Sequence, residues 1–225
     1  MLNNRGKLIV IDGADGSGKK TQAELLINRL KKIKKKAVLV DFPQYDDFFG
    51  KIIRRYLDGE FGGLDDVSGY LASVLFAADR WRSKEKIEKY LQEGFIVISN
   101  RYAESNMAHQ GAKIKSPDER KRYLDWLNEM EFETFKIPRA DAIIYLDVPI
   151  EVSQKLMDGR GKKDIYEKNI QYLRNTQELY REFCKNNKNW FNIPCTKNDK
   201  LMSRENISEL VWAVLLYNYW EYFLN

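Results

Sequence analysis

The chain has 225 residues, 44% of them hydrophobic and 32% charged, with a formal net charge of +5, a balance that suits one sizeable globular domain (residues 1–225) rather than two or a disordered chain. No stretch has the length of a membrane span, since Glu209, Asn218 and Glu221 interrupt the apolar run from Ile207 to Leu224. The apolar segment from Leu8 to Ile11 is too short for a signal-peptide core, and Cys184 and Cys195 form no C-x-x-C pair, so a cytoplasmic chain with reduced thiols and no membrane partner is expected.

Five short apolar runs read as buried strands: Leu8 to Ile11, Ala37 to Val40, Phe95 to Ile98, Ile143 to Leu146 and Trp190 to Ile193. Helical stripes lie between them, with Leu26, Leu30 and Ile33 on one and Leu71, Val74, Leu75 and Ala78 on another. Strands alternating with helices imply an α/β protein with a parallel sheet, and near-continuous apolar strands imply that helices cover both its faces. The basic run Lys31, Lys32, Lys34, Lys35, Lys36 falls at the end of the first predicted helix, where cations suit the negative end of the helix dipole. No nucleic-acid-binding signature accompanies it, and no nucleic-acid partner is expected.

Between the first strand and the first helix stands Gly13-Ala14-Asp15-Gly16-Ser17-Gly18-Lys19. Strand, glycine-rich loop, lysine and helix in that order make a P-loop. The glycines let the backbone curl so that its N–H groups point at phosphate oxygens, and the helix N-terminus adds positive potential. Lys19 reaches the β- and γ-phosphates of the donor. The next position, where a Ser or Thr hydroxyl normally meets Mg²⁺, holds Lys20, and Thr21 lies about 100° further round the helix.

Further along, Phe76 and Arg80 are four apart on one helix and share a face. A ring and a planar donor fork so placed suit a single base, stacked on one and bonded at its edge by the other; a core Phe beside a surface Arg is the plain alternative. Arg101 falls just past a strand's carboxyl end, the edge where open α/β sheets bind ligands, and a phosphate is its expected partner. Asn106 and Gln110 are again four apart, on a helix predicted to begin near Ala103, able to read a pyrimidine edge or to act as polar caps. His109 beside them is a pocket-lining candidate, although a lone His is commonly structural.

Taken together, these blocks resemble the thymidylate kinase family. Gly13 to Gln22 is similar to its P-loop, and Phe42-Pro43-Gln44-Tyr45, Leu75 to Arg80, Asn100-Arg101-Tyr102 and Ser105 to Gln110 follow in the family's order over residues 8 to about 112, with a weaker match at Asp164 to Glu167. The resemblance implies a three-layer P-loop kinase fold with a five-stranded parallel sheet and a short lid near residues 157–168. It implies transfer of the γ-phosphoryl of ATP to dTMP, giving dTDP and ADP in dTTP synthesis, with Mg²⁺. ATP would meet Gly13, Ala14, Asp15, Gly16, Ser17, Gly18, Lys19, Lys20 and Thr21. The acceptor would meet Asp15, Phe42, Tyr45, Phe76, Arg80, Arg101, Asn106, His109, Gln110 and Tyr166. Lys19, Arg101, Asp15 and an arginine finger at Arg160 in the lid would do the chemistry, an exposed basic loop being the alternative for Arg160. These kinases are usually homodimers built from helices near residues 67–80 and 118–132. Asn100 departs from the family, which ends this strand in a carboxylate, so Mg²⁺ is expected to be held mainly by the phosphates, water and Asp15.

A kinase for another acceptor, such as dUMP or a purine monophosphate, is the nearer rival. A GTP-binding regulatory module is the remoter one. Thr196-Lys197-Asn198-Asp199 matches its guanine-reading pattern, but no D-x-x-G directly follows a strand.

Overall fold

A computed structural model describes residues 5–157, 164–198 and 200–224. The five predicted strands are β1 (Leu8–Gly13), β2 (Ala37–Asp41), β3 (Ile96–Asn100), β4 (Ala142–Asp147) and β5 (Trp190–Pro194), each within two residues of its expected limits. They form one wholly parallel sheet in the order β2-β3-β1-β4-β5. β1 sits where the chain steps outward to either side, and ligands of such sheets bind at the carboxyl edge of that point.

Alternation along β1 sends Ile9 and Ile11 to one face and Leu8 and Val10 to the other. The first face is covered by α1 (Lys19–Lys32) and, much later in the chain, by α9 (Arg204–Leu224). The apolar C-terminal run is therefore core packing. Gln22 Nε2 donates to the Arg204 carbonyl at 2.9 Å, and the Arg29 guanidinium lies 4.6 Å from the Trp212 ring centre. Among the described residues no helix is long and apolar enough to cross a membrane.

The second face is covered by α4 (Lys84–Gln92), α5 (Ala103–Gly111) and α8 (Ile170–Asn186). Outside these, α3 (Gly69–Arg82) and α6 (Pro117–Asn128) pack on α5, and α2 (Phe48–Leu57) packs on α3. Ser68 caps α3 by accepting from the Leu71 N–H, which starts the helix two residues later than the apolar pattern suggests. The helix expected over residues 118–132 is α6 followed by a π-helical turn, Glu129–Thr134. α7 (Ile150–Met157) ends where the lid is expected to begin. Of the expected lid, Asp158 to Lys163 lie outside the described residues, as does Asp199 of the T-K-x-D pattern. Thr196–Lys197 forms a two-residue strand, β6, paired with β7 (Lys200–Leu201).

Candidate active site

The P-loop leaves β1 and enters α1 as the sequence requires. Gly16 and Gly18 have φ of +78° and +86°, a region that side chains resist and glycine enters freely. In this conformation Lys19 folds back over the loop, donating to the Gly13 and Ala14 carbonyls at 3.1 and 2.9 Å. Burial and the Arg101 cation push its pKa down to about 8, with Asp15 at 3.5 Å opposing them.

Arg101 forms the other half of this centre. It has φ of +63°, unusual for a non-glycine residue, and is pinned there by its N–H to the Ile11 carbonyl at 3.0 Å and by Ser99 Oγ donating to its own carbonyl at 2.6 Å. Its guanidinium donates to Asp15 Oδ1 at 2.5 Å and lies 3.5 Å from Asp12. Asp12 is fully buried and also accepts from the Gly13 N–H at 2.8 Å and from Ser105 Oγ at 2.6 Å. Burial disfavours the charged Asp15, but Arg101 and Lys19 outweigh it and hold the carboxyl below its usual range. Neither Asp12 nor Ser105 stood among the expected site residues, although Ser105 opens the block that runs to Gln110. Asp12 directly precedes the P-loop motif that begins at Gly13, a place that could have flagged it.

His109 belongs to this network and does not stand alone. Arg101 donates to Nε2 at 3.1 Å, so Nδ1 carries the proton and donates to Tyr172 Oη at 3.1 Å. Burial and the Arg101 cation lower its pKa to about 3, so the ring is neutral at physiological pH.

A cleft opens from this charged centre towards α3 and α5. Its lining joins Asp15 and Arg101 of the charged centre to Phe76, Arg80 and Asn106, and His109, Gln110, Tyr166, Phe42 and Tyr45 complete it. Every acceptor-contact candidate of the sequence thus borders one cleft. Pro43, Leu57, Asp79, Tyr102, Ser105 and Asp164 also line it. The Phe76 ring meets Tyr56 edge-on at 6.3 Å, which fixes its plane. Tyr45 is covered by the Arg54 guanidinium at 3.8 Å. Gln110 donates to Tyr166 Oη at 2.7 Å, and Tyr166 stacks on His109. Burial pushes the Asp164 carboxyl up to about 6, although the Glu167 and Tyr166 N–H groups donate to it.

Arg80 is not the surface arginine of the plain reading. It is buried against Glu131 of the π-helical turn, Nε and Nη2 each meeting one carboxylate oxygen. Burial works against this cation, and Glu131 more than offsets it, raising the pKa above the usual arginine value. Glu131 was missed in the sequence. It continues the core spacing of Tyr123 and Leu127 at intervals of four, so a carboxylate at a core position was the available signal. Asn100, in place of the family's carboxylate, lies beside Asp41 in the β2–β3 register and donates to its Oδ1 at 2.7 Å. Arg160 lies outside the described residues.

The P-loop at the sheet's carboxyl edge and a base-sized cleft beside it define a P-loop nucleotide phosphotransferase. A thymidylate kinase family model matches residues 11–207. The chain is 38% identical to a probable thymidylate kinase of Thermococcus onnurineus (strain NA1) over 177 residues, covering 76% of this chain and 81% of that one. It is 34% identical to the thymidylate kinase of Schizosaccharomyces pombe over 187 residues, 80% of each. A solved thymidylate kinase structure from Candida albicans superposes with a TM-score of 0.75 at 25% identity, over 95% of this chain and 92% of that one. The chain belongs to the thymidylate kinase family.

Proposed function

We propose that this chain transfers the γ-phosphoryl group of ATP to dTMP, giving dTDP and ADP. The observation that carries the reading is the cleft joining Arg101 and Asp15 at one end to Phe76, Arg80 and Asn106 at the other. A nucleoside monophosphate laid along it meets a cation with its phosphate and a ring and donor fork with its base. ATP enters through the P-loop, whose N–H groups and Lys19 take its β- and γ-phosphates. Arg101, with its phosphate-side nitrogens already oriented by Asp12 and Asp15, brings the acceptor's phosphate into line. Tyr45 and Tyr166 close the sugar side. Arg160, in the lid, meets charge that develops only in transfer.

The oxygen donors present fit Mg²⁺. Among the described residues neither Asp15 Oδ2 nor the buried Asn100 Oδ1 has a protein partner, and Asp41 lies within the electrostatic reach of Lys19 and Lys20. Mg²⁺ takes oxygen ligands and keeps several waters, so Asp15 would hold it on the protein side with phosphates and water completing its shell. When bound, the ion supplies neutralisation of phosphate oxygen charge.

The outer face of α3 leaves Leu71 and Trp81 more than half exposed with Val74 between them, which supports a homodimer through this helix. Cys184 and Cys195 are free thiols, which supports a reducing, cytoplasmic setting.

A coupled ADP-release assay with ATP, Mg²⁺ and a panel of nucleoside monophosphates tests the activity. Turnover is expected with dTMP and, more weakly, dUMP. Turnover with a purine monophosphate and none with dTMP would overturn the acceptor assignment.

A further inference from the structure

The π-helical turn after α6 holds a buried carboxylate that touches two residues of the base end of the cleft. Glu131 is 0% exposed. Its two oxygens receive Arg80 Nε and Nη2, and Oε1 also faces Asn106 Nδ2 at 3.3 Å. Asn106 Nδ2 donates in addition to the Ser73 carbonyl at 3.1 Å. Both amide hydrogens of Asn106 are thereby directed at acceptors, and rotating the amide would set its oxygen against a carbonyl and a carboxylate. Asn106 Oδ1 is left for the cleft. Arg80 Nη1 has no partner among the described residues and is the donor left for the cleft.

We propose that Glu131 is a specificity-determining positioning residue: by fixing Arg80 and Asn106 together, it makes the cleft present one donor beside one acceptor in a single order. A thymine or uracil edge offers O4 to the donor and N3–H to the acceptor. Cytosine offers the reverse, an N4 amino group and a bare N3. A cytosine would set donor against donor and acceptor against acceptor, each desolvated and unpaired. Glu131 touches no substrate in this arrangement; it acts by removing the freedom of the two side chains that do. An isolated Arg80 could swing and an unclamped Asn106 could rotate, and either motion would let the reversed pattern in. The π turn contributes by carrying Glu131 inward at the end of α6, with the Phe135 N–H returning to the Met130 carbonyl at 2.9 Å. This inference rests on the assignment of the cleft to a nucleoside monophosphate.

Glu131→Gln removes the charge beneath a buried arginine, and unfolding is one result. Glu131→Asp is the deciding variant, because it keeps the charge and withdraws it by one carbon–carbon bond. Kinetics with dTMP, dUMP and dCMP, KM for ATP, and thermal melts would be measured for both variants and the unaltered protein. The expected result for Glu131→Asp is a KM for dTMP raised about tenfold, an unchanged KM for ATP, and a ratio of dTMP to dCMP kcat/KM that falls about tenfold or more. A folded Glu131→Asp protein with the original ratio, or with equal losses for ATP and dTMP, overturns the inference. The unaltered protein separates the two hypotheses: if it discriminates dTMP from dCMP and the variant discriminates as well, only the role of Glu131 fails. If the unaltered protein binds neither pyrimidine nucleotide, the assignment of the cleft fails.

Discussion

At the phosphate end of the cleft, the functional atoms come from a seven-residue loop and from arginine one strand away; at the base end, they come from α3, α5, the π turn and the segment around Tyr166, which are far apart in the chain. The phosphate end is also a closed charge network. Arg101 bridges Asp12 and Asp15, and Lys19 faces Asp15. The base end holds one buried ion pair and several neutral contacts. A polyanion is recognised by prearranged opposite charge and backbone dipoles, which a short contiguous motif can supply. A base is recognised by shape and by the order of its donors and acceptors, which requires side chains fixed from several directions.

The comparison predicts that damage at the phosphate end is indifferent to the base. Arg101→Ala should lower kcat/KM for dTMP and dUMP alike, by about 2–5 kcal/mol of transition-state stabilisation. It also strands the buried Asp12, so a melt must accompany the kinetics. A loss seen with dTMP but not dUMP would show that Arg101 serves the base, and the division between the two ends would collapse.

Damage at the base end should be blind to the phosphate donor. Phe76→Ala is expected to weaken dTMP binding by about 1–3 kcal/mol, the worth of a stacking platform, with ATP affinity unchanged. Calorimetric titration of each nucleotide reads both numbers. Equal losses would make Phe76 a core residue packed on Tyr56 and nothing more.

Protons should distinguish the ends as well. Lys19 is neutral in an increasing fraction of molecules above about pH 8, and bound phosphates favour its charged form. ATP binding therefore takes up a proton above that pH, and ATP affinity falls as the pH rises through about 8, by at most about tenfold per unit. Arg101 has its pKa raised by its two carboxylates against the cost of burial, so it stays charged, and dTMP affinity should be flat over the same range. Titrations between pH 7 and 9.5 check both, and a parallel decline for the two nucleotides would contradict the assignment of Lys19 to ATP.

This division also explains what was legible in the sequence. The strands, the P-loop and the edge position of Arg101 follow from local pattern, because each is specified by neighbours in the chain. Phe76 with Arg80, and Asn106 with Gln110, were legible as pairs because one helix turn brings each pair together. Their long-range contacts were not, although Tyr166 itself was named. Glu131 meets Arg80 across 51 residues, and Tyr166 meets Gln110 across 56. Asp41 beside Asn100 depended on the strand order, which spacing alone does not give. The network around His109 was hidden for the same reason, since Arg101 and Tyr172 reach it from separate elements.

The smallest effect is expected outside the cleft lining, at Glu104. This residue occupies the first turn of α5, is buried, and has no partner for Oε2 among the described residues. It does not line the cleft. Burial pushes its carboxyl up to about 7 from an ordinary value of 4.5. A carboxyl whose folded pKa exceeds its unfolded one binds more protons in the folded state between those values, so stability is lost as the pH rises through that window. Its favourable contribution is complete below about pH 4.5 and gone above about pH 7. Glu104→Gln keeps the shape and removes the titration. The difference in stability between Glu104→Gln and the unaltered protein should therefore be near zero at pH 5 and grow to about 1–3 kcal/mol in favour of the variant by pH 8. Urea melts at the two pH values measure it, and the subtraction cancels every other titrating group. Steady-state constants for ATP and dTMP should stay close to those of the unaltered enzyme, because Glu104 touches neither end of the cleft. A variant that is less stable at both pH values would mean that Glu104 is charged and paired in the fold, with Arg80, the cation whose charge opposes its upward shift, as the partner to examine.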